Sequence, residues 1–125
     1  MNALTVEQVE RLQRALIQRF GGTAGLRDAG ALQSALARPF AAFGGVEAFA
    51  SVADKVAALF HGLVTSHAFV DGNKRVGLAA TLIWLELRGR RLALTPEQRY
   101  TLTVRVAEGR LTTDGLAAVL RDVID

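Results

Sequence analysis

A chain of 125 residues without cysteine has to fold as one domain around a packed core, with no disulfide, thiolate metal site or cysteine nucleophile available. Fifteen basic residues against twelve acidic ones leave a net charge of +3. That field is too weak to argue for direct nucleic-acid binding, even though the pI is about 10.2. Half the residues are apolar and only 6% aromatic, and a chain rich in alanine and leucine favours helices over a β-sandwich or barrel. Met1 to Leu4 show no basic region leading into an apolar run. The most apolar stretch, Leu78 to Leu85, is far short of the roughly 20 residues of a membrane span. The expectation is a soluble, cytoplasmic protein with no membrane segment.

The first helix is written by Val6, Val9, Leu12, Leu16, Ile17 and Phe20 at helical spacing. Thr5 with Gln8 makes a capping box, and Gly21-Gly22 ends the helix. A short helix follows Asp28, burying Leu32, Ala35 and Leu36, and must end before Pro39. Residues 39–49 break the pattern: Phe40, Phe43, Phe49 and Gly44-Gly45 predict a turn or small hairpin. From Ser51, helical spacing returns through Val52, Val56, Leu59, Phe60, Leu63 and Val64, fading near Ser66.

The next helix is expected over 73–88, with Gly89 as its stop. Apolar residues cover nearly its whole circumference, so it is expected to be the buried central helix of the domain. Thr95-Pro96-Glu97-Gln98 opens another helix that ends near Gly109. A last helix carries Leu116, Val119, Leu120, Val123 and Ile124. The reading is an all-α domain of about six helices spanning 1–125, with a short flap or hairpin near 39–49.

One segment concentrates chemistry. His67-Ala68-Phe69-Val70-Asp71-Gly72-Asn73-Lys74-Arg75 puts a base, a carboxylate, a glycine, an amide and two cations directly before an apolar helix. The free N–H groups and dipole of a helix start form an anion site. Lys74 and Arg75 in that first turn oppose the dipole, which makes better sense if an anion sits there. Asp71 is a hard oxygen ligand of the kind Mg²⁺ takes together with substrate phosphates. His67 can act as a base near neutral pH. Each residue alone has a bland account: a loop histidine, an Asp-Gly-Asn turn, two surface cations. Their order at a helix start is what sets them apart. His61, His67 and Asp71 do not have zinc-site spacing. Arg88, Arg90 and Arg91 fit cations favoured at a helix C-terminus.

The segment resembles the Fic signature His-Pro-Phe-x-Asp/Glu-Gly-Asn-Gly/Lys-Arg. Gly21-Gly22, Gly25-Leu26-Arg27-Asp28, Ala37-Arg38-Pro39 and Phe43-Gly44-Gly45 extend the likeness to the death-on-curing (Doc) toxins of that family. The resemblance implies a Fic fold and a protein-modifying enzyme that uses ATP and Mg²⁺. It implies that His67 deprotonates the target hydroxyl and Asp71 holds the metal. Asn73, Lys74 and Arg75, with N–H groups from Gly72 onward, would hold nucleotide phosphates. Phe69 would anchor the loop in the core, and Phe40–Phe49 would be the flap that aligns the target chain.

Three residues depart from the general Fic pattern. Ala68 replaces proline, Lys74 stands where AMP-transferring members carry glycine, and Leu78 replaces a second arginine. The last two resemble the death-on-curing branch. That likeness implies a toxin transferring the γ-phosphoryl group to a threonine of elongation factor Tu, which arrests translation. The alternative is AMP transfer by the same residues, and a catalytically idle ATP-binding module is a third reading. No Ser/Thr-x-x-x-Glu-Gly/Asn inhibitory motif is present, since Thr103 to Glu108 is one residue too long. Control by a separate, Phd-like antitoxin is therefore expected.

Overall fold

Most helices begin at a side chain that closes their free N–H groups. The computed structural model describes residues 3–125, and the chain order is α1 (Val6–Phe20), α2 (Ala29–Ala37), a 3-10 turn (Arg38–Phe40), β1 (Ala42–Phe43), β2 (Val46–Glu47), α3 (Val52–Thr65), α4 (Asn73–Glu86), α5 (Pro96–Ala107) and α6 (Thr113–Arg121). Thr5 and Thr95 form reciprocal capping boxes with Gln8 and Gln98. Asp28, Ser51 and Thr112 each accept from the backbone N–H three residues on. The fold is therefore all-α, with one two-stranded antiparallel hairpin pairing Ala42 with Glu47 and Phe43 with Val46.

The central helix is α3, not α4. Nine of its 14 residues are buried, and it packs against α2, α4, α5 and α6. Phe60 and Val56 are fully enclosed, and burying a side chain of this size stabilises by roughly 1.5–3 kcal/mol. On α4, Val76, Ala80, Trp84 and Leu85 face the core, while Ile83 and Leu87 are exposed. Apolar residues all round α4 do not enclose it, because α6 closes over α3 instead. Gly77 lets α3 and α4 meet closely: a Cβ there would lie 2.6 Å from Val64 Cγ2.

Two other expectations change. Phe20 is 54% exposed and not part of the core stripe; its ring lies under the Arg75 guanidinium, 4.4 Å away. The last helix stops at Arg121, and Val123 and Ile124 instead run alongside Leu92 and Ala93, with the Ala93 N–H on the Val123 carbonyl at 2.7 Å. A short extended pairing satisfies these backbone groups beyond the helix end.

The hairpin is tied down at its base. Lys55 on α3 is buried, and its ammonium pairs with Glu47 at 2.9 Å and donates to the Phe49 carbonyl. The Arg38 guanidinium lies 5.4 Å from the centre of the Phe49 ring. Phe43 and Val46 near the tip stay exposed. No helix among the described residues is long and apolar enough to cross a membrane.

Candidate active site

The loop joining α3 to α4 alternates buried anchors with exposed chemistry. Ala68 and Phe69 are buried, whereas His67, Val70 and Asp71 are exposed. The residues before α2 hold the loop like a short strand. The Arg27 and Asp28 N–H groups both donate to the Ala68 carbonyl (2.7 and 2.9 Å), and the Val70 N–H donates to the Gly25 carbonyl at 3.0 Å. Arg27 Nε adds a bond to the His67 carbonyl at 3.0 Å. With Ala68 in place of proline, these backbone bonds are what fix the loop.

His67 has φ 51° and is the one non-glycine residue with positive φ among those described. A left-handed histidine costs energy unless its surroundings over-determine it. Here the bonds to its own carbonyl and to Ala68 do so, and the imidazole is left in solvent.

Asn73 departs from the role expected of it. Its side-chain Oδ1 accepts from the Phe69 N–H and its Nδ2 donates to the Phe69 carbonyl, both at 3.0 Å. The amide clamps the loop, so what Asn73 offers an anion is its backbone N–H. Gly72 also contributes differently from the expectation. Its N–H donates to Asp71 Oδ1 at 2.9 Å, so the open row of helix-start N–H groups begins at Asn73. Gly72 itself has φ 74°, a conformation that suits glycine, and caps α4 without any side chain.

Asp71 is held from a second side. Its Oδ2 accepts from the Thr23 N–H at 3.2 Å. Each carboxylate oxygen thus takes one backbone donor and keeps lone-pair capacity facing the cavity. No cluster of three or more His, Cys, Asp or Glu side chains able to hold a metal occurs among the described residues. A single carboxylate with free lone pairs is the kind of ligand that Mg²⁺ takes, together with water and substrate phosphates. Asp71 is the residue that would hold it.

The six residues assigned to catalysis, metal or phosphate binding, His67, Asp71, Gly72, Asn73, Lys74 and Arg75, line one cavity of about 600 Å³, and the Phe40–Phe49 segment does not line it. Lys74 and Arg75 are exposed in the first turn of α4, where no acid stands. Leu78 lies one turn beyond Lys74 on the same wall, and Val64 closes the floor.

The opposite wall was not foreseen. Tyr100, Thr103, Val104 and Ala107 of α5 complete the cavity. Their signal is their spacing, i, i+3, i+4 and i+7, on a face without charge. Glu108, from the near-match to an inhibitory motif, follows α5 as an exposed C-cap and does not line the cavity. Gln13 was also missed. It is 1% exposed, its Nε2 donates to the Thr23 and Asp71 carbonyls, and its Oε1 accepts from the Gly25 N–H. The arginines after α4 are engaged elsewhere: Arg88 lies over the Trp84 ring, Arg90 bonds the Asp125 carbonyl and Arg91 pairs with Asp125.

Comparison with known sequences agrees with the geometry. Residues 3–85 match the Fic/DOC family. The chain belongs to that family. It is similar to "Toxin Doc" of Mycolicibacterium smegmatis, 41% identical over 103 residues that cover 81% of this chain and 79% of the relative. It is also similar to "Protein kinase doc" of Escherichia phage P1, 29% identical over 121 residues, covering 97% and 94% of the two chains.

Proposed function

We propose that this protein is the toxin of a toxin–antitoxin pair and an enzyme that transfers the γ-phosphoryl group of ATP to a threonine of a translation protein, with elongation factor Tu as the expected target. The observation that carries this reading is the uncapped start of α4 inside the cavity, where Lys74 and Arg75 stand and no acid does. Such a start suits a polyphosphate. The apolar wall of Leu78, Val104 and Ala107 leaves room for a nucleoside. Lysine at 74 fills the space that a glycine would leave for phosphates close to the helix. With leucine at 78, no second arginine holds phosphates there, which favours presenting the γ-phosphorus rather than the α-phosphorus. The names of both relatives, a toxin and a protein kinase, support the same reading.

In this scheme His67 takes the proton of the threonine hydroxyl as its oxygen attacks the γ-phosphorus. The bond from that phosphorus to the β–γ bridging oxygen breaks, and ADP leaves. Lys74, Arg75 and the N–H groups at the start of α4 stabilise the charge on the moving group. Magnesium bound with the nucleotide at Asp71 would supply neutralisation of phosphate charge. The name of one relative, a toxin, supports restraint by a separate antitoxin, proposed to be Phd-like and cytoplasmic, and the isolated chain is expected to slow bacterial growth until that antitoxin is co-expressed.

The test uses bacterial lysate and ATP labelled at either the α or the γ position. The expected result is one main labelled band, at the mass of elongation factor Tu, from γ-labelled ATP alone. Label from α-labelled ATP would replace phosphorylation by AMP transfer at the same residues. An unlabelled lysate with both nucleotides would remove the enzymatic reading.

A further inference from the structure

Gln13 is a buried polar side chain in the middle of the apolar face of α1, and the three hydrogen bonds it makes all run to the loops at the site. Its Nε2 donates to the carbonyls of Thr23 and Asp71, both at 3.2 Å, and its Oε1 accepts from the Gly25 N–H at 3.3 Å. A buried amide left without these partners would be costly, so the arrangement is strongly specified. The loop it grips is the loop that touches the Asp71 carboxylate. Thr23 donates its N–H to Oδ2, and Gly22 passes so close that a Cβ would lie 2.5 Å from that oxygen.

We infer that Gln13 is a positioning residue for the Asp71 carboxylate. It holds the Asp71 backbone directly and, by fixing Thr23 and Gly25, sets the donor that orients Oδ2. Apart from the Thr23 bond to Oδ2 itself, the other bonds between the 22–28 segment and the motif loop link Gly25, Arg27 and Asp28 to Val70, Ala68 and His67, all of which precede Asp71 in sequence. Outer partners of a metal-binding carboxylate tune its affinity, and their loss commonly weakens metal binding roughly 10- to 100-fold. The inference rests on Asp71 being the metal-binding carboxylate of the proposed reaction.

The experiment compares wild type with Gln13→Met, which keeps length and helix propensity but loses all three bonds, and with Gly22→Ala, which crowds Asp71 and, at a φ of 110°, strains the loop that Gln13 holds. Mn²⁺ affinity is measured by electron paramagnetic resonance in the presence of the β,γ-imido analogue of ATP, and melting temperature by circular dichroism. Ser51→Ala, a lost helix cap far from this network, serves as a folded but destabilised control.

Each of the two single variants is expected to weaken Mn²⁺ roughly 10- to 100-fold, and the control to bind normally. Because both act through one carboxylate, the double variant is expected to fall short of the product of the two losses. In phosphoryl transfer, Gln13→Met is expected to raise the Mg²⁺ requirement more than it lowers kcat at saturating Mg²⁺. Wild-type Mn²⁺ affinity in folded Gln13→Met, or losses that multiply in the double variant, overturn the inference. If Gln13→Met does not fold, Gln13→Asn decides by the same titration, since it stays neutral and polar while its shorter side chain draws the amide away from all three partners. Wild-type protein that takes up no Mn²⁺ overturns the metal reading and this inference together. A protein that binds Mn²⁺ and loses it in Gln13→Met, yet transfers no γ label, overturns the proposed reaction alone.

Discussion

The starts of α3 and α4 are built on opposite principles. At α3, Ser51 accepts the Asp54 N–H, and Asp54 stands in the first turn where the helix dipole favours negative charge. At α4, Gly72 contributes no side chain, no acid follows, and two cations occupy the first turn. The α3 start closes its orphan donors and serves the core. The α4 start leaves its donors open and is less stable for it, which is the condition under which a helix end can bind an incoming anion. Five of the six helices among the described residues follow the α3 pattern of a side-chain cap, so the open start marks the site as clearly as the signature residues do.

The largest effect is expected on the open side of this contrast. His67→Ala removes the proposed base while the loop keeps its backbone bonds to Arg27, Asp28 and Gly25. Turnover should fall by roughly 10²–10⁴, with little change in melting temperature since the imidazole is exposed. Transfer at the wild-type rate by the folded variant would assign the base elsewhere.

The next effect makes α4 resemble its neighbours. Lys74→Glu puts an acid in the first turn, which should stabilise the helix by about 0.3–1 kcal/mol. On the proposed reading the same change removes a charged contact to phosphate and adds repulsion, so nucleotide affinity should drop roughly 10- to 100-fold, the equivalent of one charged hydrogen bond. Thermal melting and nucleotide titration of one variant would then move in opposite directions. A parallel loss of both would mean that Lys74 supports the fold and not the ligand.

How far these features could be read in the sequence depends on whether the signal was local. Capping boxes at Thr5 and Thr95, the hairpin at Gly44-Gly45 and the nine-residue motif are contiguous, and each lies in the structure where the chain pattern puts it. The wrong choice of central helix has a different origin. Apolar coverage of α4 could be read from the chain, but whether α6 folds over α3 or α4 is a tertiary choice that no single segment encodes. Gln13 and Lys55 were overlooked for a related reason: each is a polar residue placed inside an apolar stripe, and only the partner loop shows why. Asn73 shows the reverse limit, since the motif identifies the residue but not whether its amide faces the ligand or, as here, Phe69.

A smaller effect comes from undoing the closed start. Ser51→Ala should cost about 1 kcal/mol by loss of the cap and leave transfer activity unchanged. It also removes the main cause that keeps the Asp54 carboxyl below its usual range; burial opposes that shift, and the Ser51 backbone and Arg121 assist it. A depressed carboxylate stabilises above its ordinary pKa and loses that contribution as pH falls through the folded value. The variant should therefore show a flatter loss of stability below about pH 4 in denaturant titrations across that range.

The smallest effect belongs to a histidine remote from the site. His61 on α3 is half-buried with its Nδ1 unpartnered. Burial, and then the positive charge of Arg38, push its pKa below the ordinary histidine value, with a bond to the Leu111 backbone opposing them. The unfolded chain therefore takes up a proton at a higher pH than the folded one. Stability is complete above about pH 6.5 and declines as pH falls from there toward the folded value, because protonation favours the unfolded state. His61→Leu fills similar space with nothing to titrate, so its stability profile between pH 7 and 5 should be flatter than that of wild type. The start of α4 should not respond, because His61 does not line the cavity. An unchanged slope in His61→Leu would place the acid sensitivity of the fold in another group, with the α3 cap at Asp54 next to be tested at lower pH.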